Sequence, residues 1–147
     1  MNTEEALVVA NNLWTFFNER RWDEARELLA EEFEAYWPQS NEKIPTPNKF
    51  IQVNREYPGT HEIQVISQHS SFDRWEMVAH VSTEVFIRSM NLEGKEVSLF
   101  AVSFFEIQDG KIRCLKEYWA DTYPAPEWRK HLVEQCDQTS MLALEYR

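Results

Sequence analysis

Apolar residues recur at helical spacing at the start of the chain. Ala6, Leu7, Ala10, Leu13, Trp14 and Phe17 form one stripe, which predicts an amphipathic helix over residues 4–20, ended by Arg20-Arg21. A second helix is predicted directly after it, with Asp23 near its start and Ala25, Leu28 and Leu29 on its apolar face. The segment Phe33 to Trp37 reads as aromatic and extended until Pro38 stops it, and residues 38–46 read as a polar loop. Thr46-Pro47 is a good helix start, because Thr can cap and Pro is tolerated at the first helical position. That third helix runs to about Glu56, with Phe50, Val53 and Tyr57 on one side, and Pro58-Gly59 ends it.

From His61 to Trp119 the period changes from that of a helix to that of a strand. His61 to Ser67 predicts the first strand and Ser70 to Arg74 a polar turn. Glu76 to Ile87 alternates, with Met77, Ala79, Val81, Val85 and Ile87 on one face and Glu76, His80, Ser82, Glu84 and Arg88 on the other. Asn91 to Lys95 is a turn, Val97 to Ile107 is apolar on both faces, Asp109-Gly110 signals a hairpin, and Ile112 to Trp119 is the last strand. The Pro-bounded segment Tyr123-Pro124-Ala125-Pro126 leads into a short helix around Trp128 to Gln135.

Helices first and strands afterwards mean an α+β fold. A long twisted antiparallel sheet can curl around the three N-terminal helices that cover it. Val97 to Ile107 needs cover on both faces. The helices supply one cover, and a second copy of the chain is expected on the other, giving a homodimer through the sheet face.

Length and charge narrow the partners. A chain of 147 residues with 43% hydrophobic and 27% charged content is expected to form one domain over 1–147, with a helical tail from about 126. A net charge of −10 argues against nucleic acid and against an anionic membrane surface. Only Cys114 and Cys136 occur, the N-terminus carries acids where a signal peptide needs basic residues, and no apolar run suits a membrane span. A cytoplasmic protein is expected. There is no glycine-rich phosphate loop and no G-x-S-x-G elbow. His61, His69, His80 and His131 lack metal-ligand spacing, so no cofactor or metal is expected. Six Trp, nine Phe and five Tyr are enough rings to line a cavity as well as fill a core.

Two segments carry a resemblance. YWPQSNEKIPTPNKFIQVNREYPG (Tyr36 to Gly59) and AVSFFEIQDGKIRCLKEYWADTYPAPEWR (Ala101 to Arg129) resemble a bacterial subgroup of the SnoaL-like, nuclear-transport-factor-2-like superfamily. The resemblance implies a cystatin-like cone with one small-molecule pocket. It does not imply one reaction, because this fold hosts isomerases, dehydratases, cyclases, epoxide hydrolases and proteins without chemistry. Where ketosteroid-isomerase-like enzymes need their functional groups, the alignment puts Trp37, Leu13 and Val102. Where epoxide hydrolases need an Arg and an Asp it puts Phe100, Val102 and Phe104, and Asp121 falls near the acid of the last strand.

Glu117 and Trp119 are two apart on the last strand, and the resemblance implies that their face points into the cone. A carboxylate in an apolar cavity would have a raised pKa and could serve as acid or base. His80 is the candidate proton-shuttle partner and Asp121 a secondary acid; the plainer alternatives are a salt bridge for Glu117, a core or interface role for His80 and a turn or cap for Asp121. Trp37 and Tyr57 are candidates for the cone mouth, and Trp119, Trp14 and Phe104 complete the expected binding set. Cys114 is expected to be buried and inert, with Trp128 and Leu132 covering a cone edge. The function expected is binding of one small apolar or aromatic metabolite. The alternatives are a cofactor-free acid/base enzyme and a dimerisation scaffold with a filled cone.

Overall fold

The computed structural model describes residues 1–137; residues 138–147 of the expected domain lie outside the described residues. Helix α1 spans Thr3–Asn18. Asn2 starts it: its side chain accepts from the Glu5 amide at 2.8 Å, and the Glu5 carboxylate accepts from the Asn2 amide at 3.2 Å, a capping box that satisfies two orphan donors. Helix α2 is Trp22–Glu27, strand β1 Leu29–Trp37, and a 3-10 turn covers Pro38–Ser40. Strand β2 (Glu42–Ile44) is followed by helix α3 (Pro47–Arg55), where Thr46 Oγ1 accepts from the Lys49 amide at 3.2 Å. Strands β3 (Thr60–Asp73), β4 (Val78–Met90), β5 (Glu96–Gln108) and β6 (Lys111–Asp121) form the meander, and a 3-10 segment spans Glu127–Leu132.

The described strands make one curled, unclosed sheet in the order β2-β1-β6-β5-β4-β3. The meander pairs antiparallel throughout, whereas β1 lies parallel to β6. Helix α1 packs across β3 and β4, and α3 packs on β1. The α+β cone expected from the sequence is therefore present. Its concave face presents Ala79, Val81, Thr83 and Val85 of β4, Ala101, Ser103, Phe105 and Ile107 of β5, and Phe33 and Ala35 of β1, all buried. Ala6, Ala10, Leu13, Trp14 and Phe17 of α1 close over them.

Several boundaries differ from the sequence expectation. Leu29 opens β1 and does not extend α2, and the polar loop holds β2, paired to β1 through Ala35 and Ile44. The expected turn at Ser70 to Arg74 is mostly strand. β3 continues to Asp73, past an irregularity between Val65 and Ser67. Its polar residues mimic a turn, but β3 is an edge strand, where one side faces water and polar side chains are tolerated. The chain reverses one step later, where Asp73 Oδ1 accepts from the Trp75 and Glu76 amides and Met77 takes φ 57°. Met77 is consequently exposed and not on the inner face. The tail segment is shorter than expected, without a side-chain cap, and Trp128 and Leu132 are exposed rather than packed over a cone edge.

Candidate ligand cavity

A cavity of about 360 Å³ lies between the concave sheet face and the helices. Trp14 and Phe17 of α1, Trp22 of α2, and Val53 and Asn54 of α3 wall one side. Trp37, Ile63, Ile87, Leu99, Ala101 and Trp119 wall the other. Tyr57 and His61 complete the lining, and Tyr57, half exposed, marks its outer rim.

Glu117 is the one carboxylate among the lining residues. It lies deep in the protein, and the surface it retains is cavity wall. Its position follows from register. Ser103 on β5 stands directly opposite Glu117 on β6, and both face inward. Ser103 Oγ donates to Glu117 Oε2 at 2.6 Å, and Trp37 Nε1 donates to Oε1 at 3.1 Å. Burial pushes the carboxyl above its ordinary range, and the two donors partly oppose that by favouring the anion. Among the described residues no cation pairs with it.

The surrounding rings are held by specific contacts. Trp14 Nε1 donates to buried Thr83 Oγ1 at 3.2 Å, so the indole keeps a partner inside the core. Trp37 and Trp119 meet edge to face, with centroids 5.2 Å apart. His61 bonds Ser89 through Nδ1, and its ring stands edge to face against Tyr57 at 4.4 Å. Burial lowers the His61 pKa, which favours the neutral imidazole.

Five of the expected site residues, Glu117, Trp119, Trp37, Tyr57 and Trp14, come together at this cavity. Three do not. His80 is exposed on the outer face, opposite Glu106, and cannot relay a proton to Glu117. The alternation of β4 from Ala79 to Val85, with Ala79 and Val81 buried on either side of it, puts it there. Phe104 also faces outward, 46% exposed, its ring edge to face with Tyr118. Asp121 is exposed at the end of β6 opposite Leu99, away from the cavity lining. Val102, aligned with an isomerase acid, points outward as well; the inward residue opposite Glu117 is Ser103. Cys114 is half-buried on the outer face, not sealed in the core. That outer face carries a larger, open groove of about 1100 Å³, bordered by His80, Phe104, Cys114, Lys116 and Tyr118.

Ser103, His61, Asn54 and Trp22 were not singled out by the sequence. The signal for Ser103 was its inward parity on β5, but the pairing with Glu117 depends on a register shift between Glu106 and Ile107. Among the described residues no group of three His, Cys, Asp or Glu is placed to hold a metal ion. No described helix is long and apolar enough to cross a membrane.

The fold and the sequence both have relatives. The chain is similar to a candidate ketosteroid isomerase from Kribbella flavida, with 27% identity, 92% of each chain covered and a TM-score of 0.74. It is similar in fold to a nuclear-transport-factor-2-like protein of unknown function from Burkholderia xenovorans, at 21% identity over 91% of this chain and 97% of that one, TM-score 0.69. It also shares its fold with a limonene-epoxide-hydrolase-like epoxide hydrolase from M. tuberculosis, at 17% identity, 80% and 84% coverage and TM-score 0.65. No curated protein matches the sequence. Residues 10–115 match the SnoaL-like domain family, whose fold the curled sheet shares with nuclear-transport-factor-2-like structures, and this shows that the chain belongs to the SnoaL-like family.

Proposed function

We propose that this protein binds one small, largely apolar or aromatic molecule in the 360 Å³ cavity, oriented by Glu117. The observation that carries the reading is a mostly aromatic wall with a single carboxylate, held on both oxygens by Trp37 and Ser103. Aromatic walls give contact area, and one fixed polar group gives orientation. A scaffold would not need the space, and the cone is not filled. The test is titration of small aromatic compounds, followed by tryptophan fluorescence, against the wild type and Ala101→Leu. Ala101 is nearly buried in the cavity wall, so added volume there takes up ligand space. Saturable binding in the wild type, lost in a variant that still melts cooperatively, supports the reading. Equal binding by both proteins places the ligand elsewhere.

A second reading is a cofactor-free acid/base enzyme. Burial that raises the Glu117 pKa inside an open-ended cavity favours it. Glu117 would then be the base or acid, with Tyr57 at the rim as the hydrogen-bond donor; His80 and Asp121 drop out on geometry. The isomerase, cyclase and hydrolase chemistries of similar proteins belong to this reading, and loss of turnover in Glu117→Gln would decide for it. We further propose that two copies pair through the outer sheet face, where Val102, Phe104 and Tyr118 stand exposed together, and that the chain works in the cytoplasm, which cell fractionation checks.

A further inference from the structure

We propose that the molecule this cavity accepts is an organic cation, an ammonium carrying alkyl or aromatic groups, whose charge is matched by Glu117 and whose substituents lie against the indoles. The proposal rests on the ligand-binding reading above and names the class of ligand.

The first argument is charge. No Lys or Arg lines the cavity, and the lining holds three titratable side chains: Glu117, Tyr57 and His61. Desolvation favours the neutral form of His61, so no positive charge offsets the carboxylate. A carboxylate, phosphate or enolate ligand would meet Glu117 with nothing to neutralise either charge, and burying like charges together is strongly unfavourable. The second argument is the geometry at Glu117. An indole N–H can only donate, and the Ser103 hydroxyl donates to the other oxygen. Both contacts favour the ionised carboxylate, the indole because it has no lone pair to offer and the hydroxyl by turning its proton toward Oε2. Burial opposes that anion, and what would restore the balance is a counter-charge that the described residues do not supply. The third argument is the wall. Trp14, Trp22, Trp37, Trp119 and Tyr57 surround the same space, and indole and phenol faces attract cations through their quadrupoles, most strongly out of water. A neutral hydrocarbon would use the rings but leave Glu117 to relieve its burial by taking up a proton, whereas a cation stabilises the anion that Trp37 and Ser103 hold. The net charge of −10 draws cations toward the protein from a distance.

The test uses a matched pair of probes with the whole chain. Phenyltrimethylammonium and tert-butylbenzene have the same shape and differ in charge. Binding of each is measured by tryptophan fluorescence, with benzoate as the anionic control. The expected result is that the ammonium binds about tenfold or more tightly than tert-butylbenzene, with benzoate not binding. In Glu117→Gln the ammonium should lose about tenfold while tert-butylbenzene is unchanged. The wild-type comparison stands even if that variant folds poorly. Equal or tighter binding of tert-butylbenzene by the wild type overturns the cation proposal and leaves the pocket reading intact. If neither probe binds, both fall.

Discussion

Replacing Ser103 by Ala removes one of the two donors that hold the Glu117 carboxylate, and the loss should depend on pH. The bond is short, 2.6 Å, and Ser103 has no exposed surface, so the place its hydroxyl occupies is closed to bulk water. A hydrogen bond to a charged acceptor contributes about 1.5–3 kcal/mol, and one between neutral groups about 0.5–1.5 kcal/mol. The larger figure applies when Glu117 is ionised and the smaller when it is protonated. Burial raises the Glu117 pKa above its ordinary 4.5, so the folded protein holds this proton more tightly than the unfolded chain does. The corresponding stability is present below the ordinary value and is lost as pH climbs through the raised one. Ser103→Ala strips a donor from the ionised form, which deepens that loss and carries it to higher pH. Urea unfolding of wild type and variant at about pH 4 and about pH 8 reads this directly, with an expected extra destabilisation of about 1–1.5 kcal/mol at the higher pH. The small void left by the hydroxyl costs the same at both values and cancels. In a Glu117→Gln background the pH dependence of the substitution should vanish. An equal loss at both pH values in the wild-type background would refute the claim that Ser103 supports an anion.

Gly59 sits at φ 87°, and a Cβ there would meet the Met90 carbonyl oxygen at 2.0 Å. Gly59→Ala should therefore cost about 2 kcal/mol or more and lower the melting temperature by about 4–8 °C, read by circular dichroism; an unchanged melt would show that the end of β4 yields freely. Phe104→Lys places a charge on the outer face where pairing of two copies is proposed, and Phe104 is 46% exposed in the isolated chain. Sedimentation velocity should show a wild-type dimer and a monomeric variant; a wild type that stays monomeric at micromolar concentration ends that proposal.

What was legible in the sequence was whatever depends on local period. The α1 stripe, the Thr46-Pro47 start of α3 and the Asp109-Gly110 hairpin, with φ 52° and 78° at its two turn residues, are local facts, and each appears where the pattern puts it. What was not legible depends on partners far along the chain. The polar end of β3 is strand because β4 pairs with it residue by residue through Asp73 and Val78, and no local signal contains that partner. The parallel contact of β1 with β6 brings Trp37 within hydrogen-bond reach of Glu117, across a separation that spacing alone cannot reveal.

The candidate site shows the same division at the scale of one residue. The hairpin turn pairs Gln108 with Lys111, and continuing that register without interruption would set Ser103 opposite Lys116, whose side chain points outward. The irregularity between Glu106 and Ile107 takes up an extra residue on β6 at Arg113, so Cys114 pairs with Glu106 and Glu117 with Ser103. One extra residue therefore turns Glu117 toward the cavity and gives it an inward hydroxyl as partner. Arg113 bonds Glu106 at 3.1 Å and Gln108 at 3.2 Å across the same pair of strands. These bonds tie the extra residue to its neighbours on the outer face, while the carboxylate that defines the cavity is set on the inner one. The chemistry of Glu117 is thus a consequence of a bulge four residues before it, which explains why the alternation that correctly placed Glu117 and Trp119 on one face could not also name Ser103.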